Sequence, residues 1–564
     1  MKFILTEYLN LLKEDQELDS LVSDLLISMN YTPLTKPKKG RQYGVDISAI
    51  GIDPSDNIKK IFLFVVKQGN LTRDNWDSGK NAVRQSMNEI LETYISTSLS
   101  RQHQRLPKLI IVATNGDIEQ TVNINWTQYT KKHSIDGEIE FDFWGTDKLV
   151  QLIEQFMLNE TLFKREQRSL LLKTLAFLEL SDYDLKHFYH LIESNLIGTG
   201  NQKQILKKMR MNLLCMSILN KWCTDLDNLR PAYIGSERLL LLTWNWMHNN
   251  NLFDKKYVAE EFMKLHLFKL TINANYFRKI QPHCFVRDSM FRYGMNSIEL
   301  SLNTWDLIGH LSIIGISEQF EAESTKLNSP DEKEYIKLRS DNSITVSNAV
   351  FNLLVNNPIS SYPKYDEHCI EICLCLFLLY ISGKIDEARL WLRKIIVGIN
   401  DAIKLKKFFP LLITNFEKLI DSDLETNELN LDSSYLLPIL AEWCVILNSE
   451  ELYELLKRGI HENCPNVKLL MWLPEKDTEK YYYSANAMSE TGSSKLISGF
   501  PQKMDEYKTE MAYERNSFNE EGTFSFFEKG MFYLGFLASR HFRTYPFPQL
   551  WRRLLPVENQ NFNI

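Results

Sequence analysis

Two short apolar runs joined by a turn constrain this chain more than anything else in it. They read Gly44-Val-Asp-Ile-Ser-Ala-Ile-Gly51 and Ile61-Phe-Leu-Phe-Val-Val-Lys-Gln-Gly-Asn70. Their β-branched and aromatic content predicts two strands, and Asp53 to Asn57, with its Asp-Pro-Ser-Asp composition, suits a tight reversal between them. One carboxylate, Asp46, sits early on the first strand, and one ammonium, Lys67, closes the second. Burying either charge unpaired is costly. The two therefore pair, lie at solvated strand ends, or serve a chemical purpose.

The surrounding text narrows the choice. An amphipathic helix precedes Asp46, with Leu18, Leu21, Val22, Leu25, Leu26 and Met29 on one face and Asp19 at its start. After Lys67 the pattern predicts a polar helix over about 74–100, a strand over 109–114, a loop and helix, a strand over 139–144 and a helix over 146–156. This order resembles the PD-(D/E)XK nuclease superfamily, in particular its Mrr-like restriction endonuclease branch. The resemblance is carried by Leu18-Asp19-Ser20-Leu21-Val22, by Gly44-Val45-Asp46 and by Val65-Val66-Lys67, and it spans about residues 15–156.

The resemblance implies a restriction-endonuclease-like α/β domain that cuts DNA with Mg2+ or Mn2+. Asp46, Asp19 and the carbonyl of Val66 would hold the ion, and Lys67 would act on the nucleophile or the phosphate. Val65 departs from the pattern, because the family usually carries Glu, Asp or Gln there. Side chains alternate along a strand, so Val65 and Lys67 share a face and one expected ligand is missing. Gln85 or Glu89 on the next helix would supply a migrated polar group, and Gln68 stands beside the lysine as a supporting residue. A nuclease fold that has lost catalysis is the alternative.

Charge bears on the substrate. The formal net charge of −7 argues against a protein that coats nucleic acid with its whole surface. Basic residues are instead local: Lys36, Lys38, Lys39 and Arg41 crowd the loop before Gly44, where phosphates would need neutralising, and Gln85 is a further DNA-contact candidate. The alternative is a solvated, lysine-rich loop. Arg101, His103, Arg105 and Lys108 form a second group.

At 564 residues the chain is too long for one core. The expectation is an α+β/α multidomain protein: a nuclease-like domain over 1–160, a helical domain over 161–365 and a helical C-terminal domain over 366–564, with an irregular stretch near 474–505. Residues 157–193 read as continuously helical. Ser329-Pro330 marks either a loop or a capped helix start. The text around Gly383 resembles the hinge of a helical hairpin such as a tetratricopeptide unit, but a single copy establishes only helix-on-helix packing.

All eight cysteines lie beyond residue 200. Cys369, Cys373 and Cys375 are interleaved with Ile and Leu and read as small buried apolar residues rather than zinc ligands. No run spans a bilayer, no leader pattern opens the chain, and no P-loop occurs, so the expected setting is the cytoplasm, with no membrane contact and no nucleotide site in this chain. DNA is the expected substrate. The helical region is expected to sense a trigger, hold a protein partner or build a homo-oligomer, as in a bacterial restriction or anti-phage effector.

Overall fold

The computed structural model describes Thr6, Leu9, Leu12 and the chain from Glu14 onward, apart from 36–42, 79–81, 158–164, 179–184, 293–296, 327–328, 406–431, 476, 485–491, 518–523 and 556–564. It is a mostly helical protein with an N-terminal five-stranded mixed sheet, broadly α+β. Two compact units divide it. Unit 1 comprises Met1–Ser194 and Leu214–Asn228, and unit 2 comprises Asn195–Leu213 and Leu229–Ile564. The sequence-based divisions after 160 and 365 fall inside these units.

Unit 1 is built on strands β1 (Thr32–Thr35), β2 (Ile47–Ile52), β3 (Lys59–Lys67), β4 (Lys108–Thr114) and β5 (Ile139–Trp144), hydrogen-bonded in that order. β1, β2 and β3 form an antiparallel meander, whereas β3, β4 and β5 run parallel. The central strand β3 is buried from Lys60 to Val66, the near-continuous apolar run of a strand covered on both faces. On one face Ile61, Leu63 and Val65 join Ile110 and Val112 in a core with Val83, Met87 and Ile90, and with Val122 and Tyr129. These partners come from helices α2 (Val83–Glu89) and α3 (Gln120–His133) and from Ile90 just beyond α2. Helix α1 (Asp19–Ser28) buries Leu21, Val22, Leu25 and Leu26 and packs over β1 and β2. Helix α4 (Thr146–Leu152) follows β5.

Three local features differ from expectation. β1 is a short edge strand containing Pro33, which an edge tolerates because one side of its ladder is unpaired. The single helix expected over 74–100 is broken. Arg73–Asp77 is a short turn capped by Thr72, α2 starts after an extended Ala82, and a π-helical turn, Ile90–Tyr94, follows. Residues 165–177 and 186–195 form two separate helices.

Unit 2 contains the long helices Arg230–Asn249, Lys256–Cys284, Ser297–Ser324 and Pro330–Asn356 and the hairpin Cys369–Ile381 and Ile385–Lys404. Pro231 and Pro330 stand in first turns, where a missing N–H costs nothing, and Ser329 caps its helix by accepting from Glu332 N at 3.3 Å. The irregular stretch expected near 474–505 carries a strand, β8 (Ser493–Ile497), paired with β7 (Lys468–Leu473), which also pairs with β6 (Ser433–Ser434). All eight cysteines are free and buried. Among the described residues, no helix is long and apolar enough to cross a membrane.

Candidate active site

Gly44 comes first because its backbone needs it. Its φ is +80°, and a Cβ there would lie 2.1 Å from the Ser86 carbonyl oxygen of α2. Only glycine lets the chain pass so close to α2 before turning into β2. Asp46 N then donates to Phe64 O at 2.9 Å, one residue off the β2–β3 register. Ile47 already stands opposite Phe64, so Asp46 and Ile47 share that partner and the strand bulges there.

The Asp46 side chain closes the ladder. Its Oδ2 accepts from Val66 N at 2.7 Å, in the place where the next residue of a longer β2 would have bonded. Hydrogen-bonding groups of a strand alternate in direction, so the Val66 carbonyl faces the Asp46 side as its N–H does. Burial raises the Asp46 pKa. The Val66 N–H and the Lys67 ammonium pull it back, and the Glu14 and Asp19 carboxylates push it up again. Asp19, half-buried at the first turn of α1, therefore lies within the electrostatic reach of Asp46.

Lys67 ends β3. Its Nζ donates to Glu14 Oε1 at 2.8 Å, while Gln68 N donates to Glu14 Oε2 at 3.3 Å. Glu14 opens the π-helical turn Glu14–Leu18 that leads into α1. The segment ahead of that turn is tied down by Asn115, buried at the end of β4. Its Nδ2 donates to the carbonyls of Leu9 and Leu12 at 2.7 and 2.8 Å, and its Oδ1 accepts from Gly69 N at 2.7 Å. A cleft of about 530 Å3, lined by Gln68, Asn70, Asn115, Asp117, Thr146 and Asp147 among others, opens beside these residues at the C-terminal ends of β3, β4 and β5. Clefts at that end of parallel strands are the usual ligand positions of α/β sheets.

Asp46 thus sits on the Val66 N–H in the field of Lys67, Glu14 and Asp19. Gln85 and Glu89 take another direction. Val83, Met87 and Ile90 occupy the buried side of α2 and its continuation, so helical spacing turns Gln85, which is exposed, and Glu89 away from Val65. Val65 itself is 1 % exposed within the apolar core. Lys36, Lys38, Lys39 and Arg41 lie outside the described residues. Lys108 is buried and donates to Gln104 O at 2.6 Å, which removes it from any exposed basic patch. Glu14 is the residue that sequence reasoning missed. Its only signal was membership in the acidic run Glu14-Asp15-Gln16-Glu17-Leu18-Asp19.

A second acidic group lies at the other end of β3. Among the described residues, only Asp53, Asp56 and Glu140 bring three acidic ligand atoms within 4.8 Å of one another. Their cation is already present in the chain. Lys60 Nζ stands 3.0 Å from Asp53, 2.5 Å from Asp56 and 2.7 Å from Glu140. Burial penalises this ammonium, but its bonds to Asp56, Glu140 and Asp53 outweigh that and hold its pKa above the ordinary lysine value. The cluster fastens the β2–β3 turn to β5. Glu14, Asp19 and Asp46 are spread more widely than this triad.

Asp46, Glu14, Asp19 and the Val66 carbonyl are all oxygen donors, the set that suits a hard divalent cation such as Mg2+ or Mn2+. The chain matches no protein-family model, and no curated protein or solved structure matches it, so these residues are the ground for any functional reading.

Proposed function

We propose that unit 1 is a metal-dependent endodeoxyribonuclease of the PD-(D/E)XK type. In this reading unit 2 senses a trigger, holds a protein partner or assembles a homo-oligomer, as in a cytoplasmic restriction or anti-phage effector. The observation that carries the proposal is the grouping at the end of β3: Asp46 on the Val66 N–H, with Lys67 beside it in a field of further carboxylates. Asp46 and the Val66 carbonyl, with Asp19 as a further ligand, would hold Mg2+ or Mn2+. Such an ion supplies an activated water and neutralises phosphate charge. Lys67 orients that water or stabilises the charge that builds on the phosphate. Lys36, Lys38, Lys39 and Arg41 carry the flanking phosphates.

One observation favours a second reading, a nuclease-fold DNA-binding adaptor without catalysis. Val65 fills the ligand position and is sealed in the apolar core. Cleavage assays with Mg2+ and with Mn2+ on duplex DNA, single-stranded DNA and RNA decide between them. An enzyme loses all metal-dependent cleavage in Asp46→Ala and about 10²–10³ in rate in Lys67→Ala. A wild-type chain that binds no divalent ion by calorimetry and cuts none of these substrates leaves the adaptor.

A further inference from the structure

The site already holds a cation, the Lys67 ammonium, and Glu14 is the residue that grips it. Both Glu14 oxygens are engaged, one on Lys67 Nζ and one on Gln68 N. The position that would contribute a second carboxylate beside Asp46 is Val65, which cannot. Glu14 reaches the same strand end from the opposite direction, on a π-helical turn whose preceding segment Asn115 fixes through the Leu9 and Leu12 carbonyls. Its side chain is 42 % exposed, whereas that of Lys67 is 14 % exposed. The carboxylate is therefore the partner with room to turn. It already lies in electrostatic reach of Asp46, where a divalent ion would compete with the ammonium for it.

We propose that Glu14 is a metal-responsive carboxylate: it holds Lys67 in the metal-free chain and turns to a divalent ion shared with Asp46, releasing Lys67 toward the scissile phosphate. Metal binding then arms the lysine, and Glu14 takes over the role that Val65 leaves vacant. This rests on the nuclease reading of unit 1.

The test uses the full chain and Mn2+ alone, without substrate. Calorimetry gives Mn2+ affinity for wild type, Glu14→Gln and Asp46→Asn. Acetylation by a lysine-reactive ester, followed by peptide mass spectrometry, gives the reactivity of Lys67, with buried Lys60 as internal reference. The expected result is a several-fold rise in wild-type Lys67 labelling on adding Mn2+. In Glu14→Gln, labelling is fast with or without metal, and Mn2+ affinity falls about tenfold or more. Binding that needs Asp46 but is unchanged in Glu14→Gln overturns the role of Glu14 and leaves the nuclease reading intact. So does wild-type labelling indifferent to bound Mn2+, a measurement that decides the matter alone if Glu14→Gln does not fold. A wild-type chain that binds no Mn2+ overturns both.

Discussion

Asp46 carries its charge in a place that disfavours it, since burial outweighs the help of the Val66 N–H and Lys67 and raises its pKa. A carboxyl with a raised folded pKa stabilises the native state most at pH below its unfolded value. That contribution is lost as pH rises through the folded value, so at neutral pH the ionised group is a net cost. Asp46→Asn keeps an oxygen to accept from Val66 N and removes the charge. It is expected to raise the melting temperature of unit 1 by about 2–4 °C per kcal/mol of cost removed, while abolishing Mn2+ binding and cleavage. A melting temperature that falls would mark Asp46 as a structural carboxylate. Val65→Glu is the converse change. It places a carboxylate in an apolar core and is expected to cost several kcal/mol without metal, with Mn2+ restoring part of the lost melting temperature. Asp46 and Lys67 drew notice in the sequence as the lone acid and lone lysine of two apolar strands, and Gly44 as part of the Gly44-Val45-Asp46 resemblance. Glu14 did not, because four acids lie within six residues and nothing local says which one meets β3. Lys60 also escaped notice, since its burial depends on Glu140, eighty residues away.

At the scale of elements, the site depends on how the segment before α1 is pinned across the strand ends. Asn115 ties that segment to the ends of β3 and β4 with three hydrogen bonds from one buried amide, beside the two that Glu14 accepts from Lys67 and Gln68. Asn115→Ala takes this partner from the Gly69 N–H and from the Leu12 carbonyl, while the Leu9 carbonyl keeps its bond from Leu12 N, at a cost of about 1–3 kcal/mol for each group that water does not reach. It also frees the turn that carries Glu14. The expected outcome is a lower melting temperature and a higher Mn2+ concentration for half-maximal cleavage, with the rate at saturating Mn2+ preserved within about tenfold. A rate that collapses even at saturating metal would show that Asn115 holds the reacting groups themselves. The hairpin β2–β3 and the strands β4 and β5 could be read from the sequence as apolar runs bounded by turn residues. β1 could not, because a four-residue edge strand containing Pro33 carries little strand signal. The helix expected over 74–100 breaks between Ser78 and Ala82, both of them extended, which an apolar period does not mark.

At the scale of the whole molecule, the chain does not divide where its composition changes. A cut near Asn195 looks natural, because helical text pauses at Gly198-Thr199-Gly200. Yet Leu214–Asn228 groups with unit 1. Within that stretch Leu214, Cys215, Met216, Ile218, Leu219 and Cys223 are all at most 5 % exposed, and Asn228 Nδ2 reaches the Leu178 carbonyl at 3.4 Å. Burying a large apolar side chain contributes roughly 1.5–3 kcal/mol, so losing this set removes an amount comparable with the whole stability of a typical domain, about 5–15 kcal/mol. A chain ending at Asn195 is therefore expected to aggregate or to melt without a cooperative transition. One ending at Asn228 is expected to melt in a single transition and to retain Asp46-dependent Mn2+ binding by calorimetry. That longer piece also tests the role proposed for unit 2. Residues beyond 228 far exceed what phosphodiester hydrolysis requires, so under the proposal their removal changes cutting in one of two ways: constitutive cleavage if unit 2 restrains the site, or none if it assembles it. Cleavage rates and sedimentation of the 1–228 chain against the full chain distinguish these. Equal rates and an equal oligomeric state would show that unit 2 neither restrains nor assembles the nuclease.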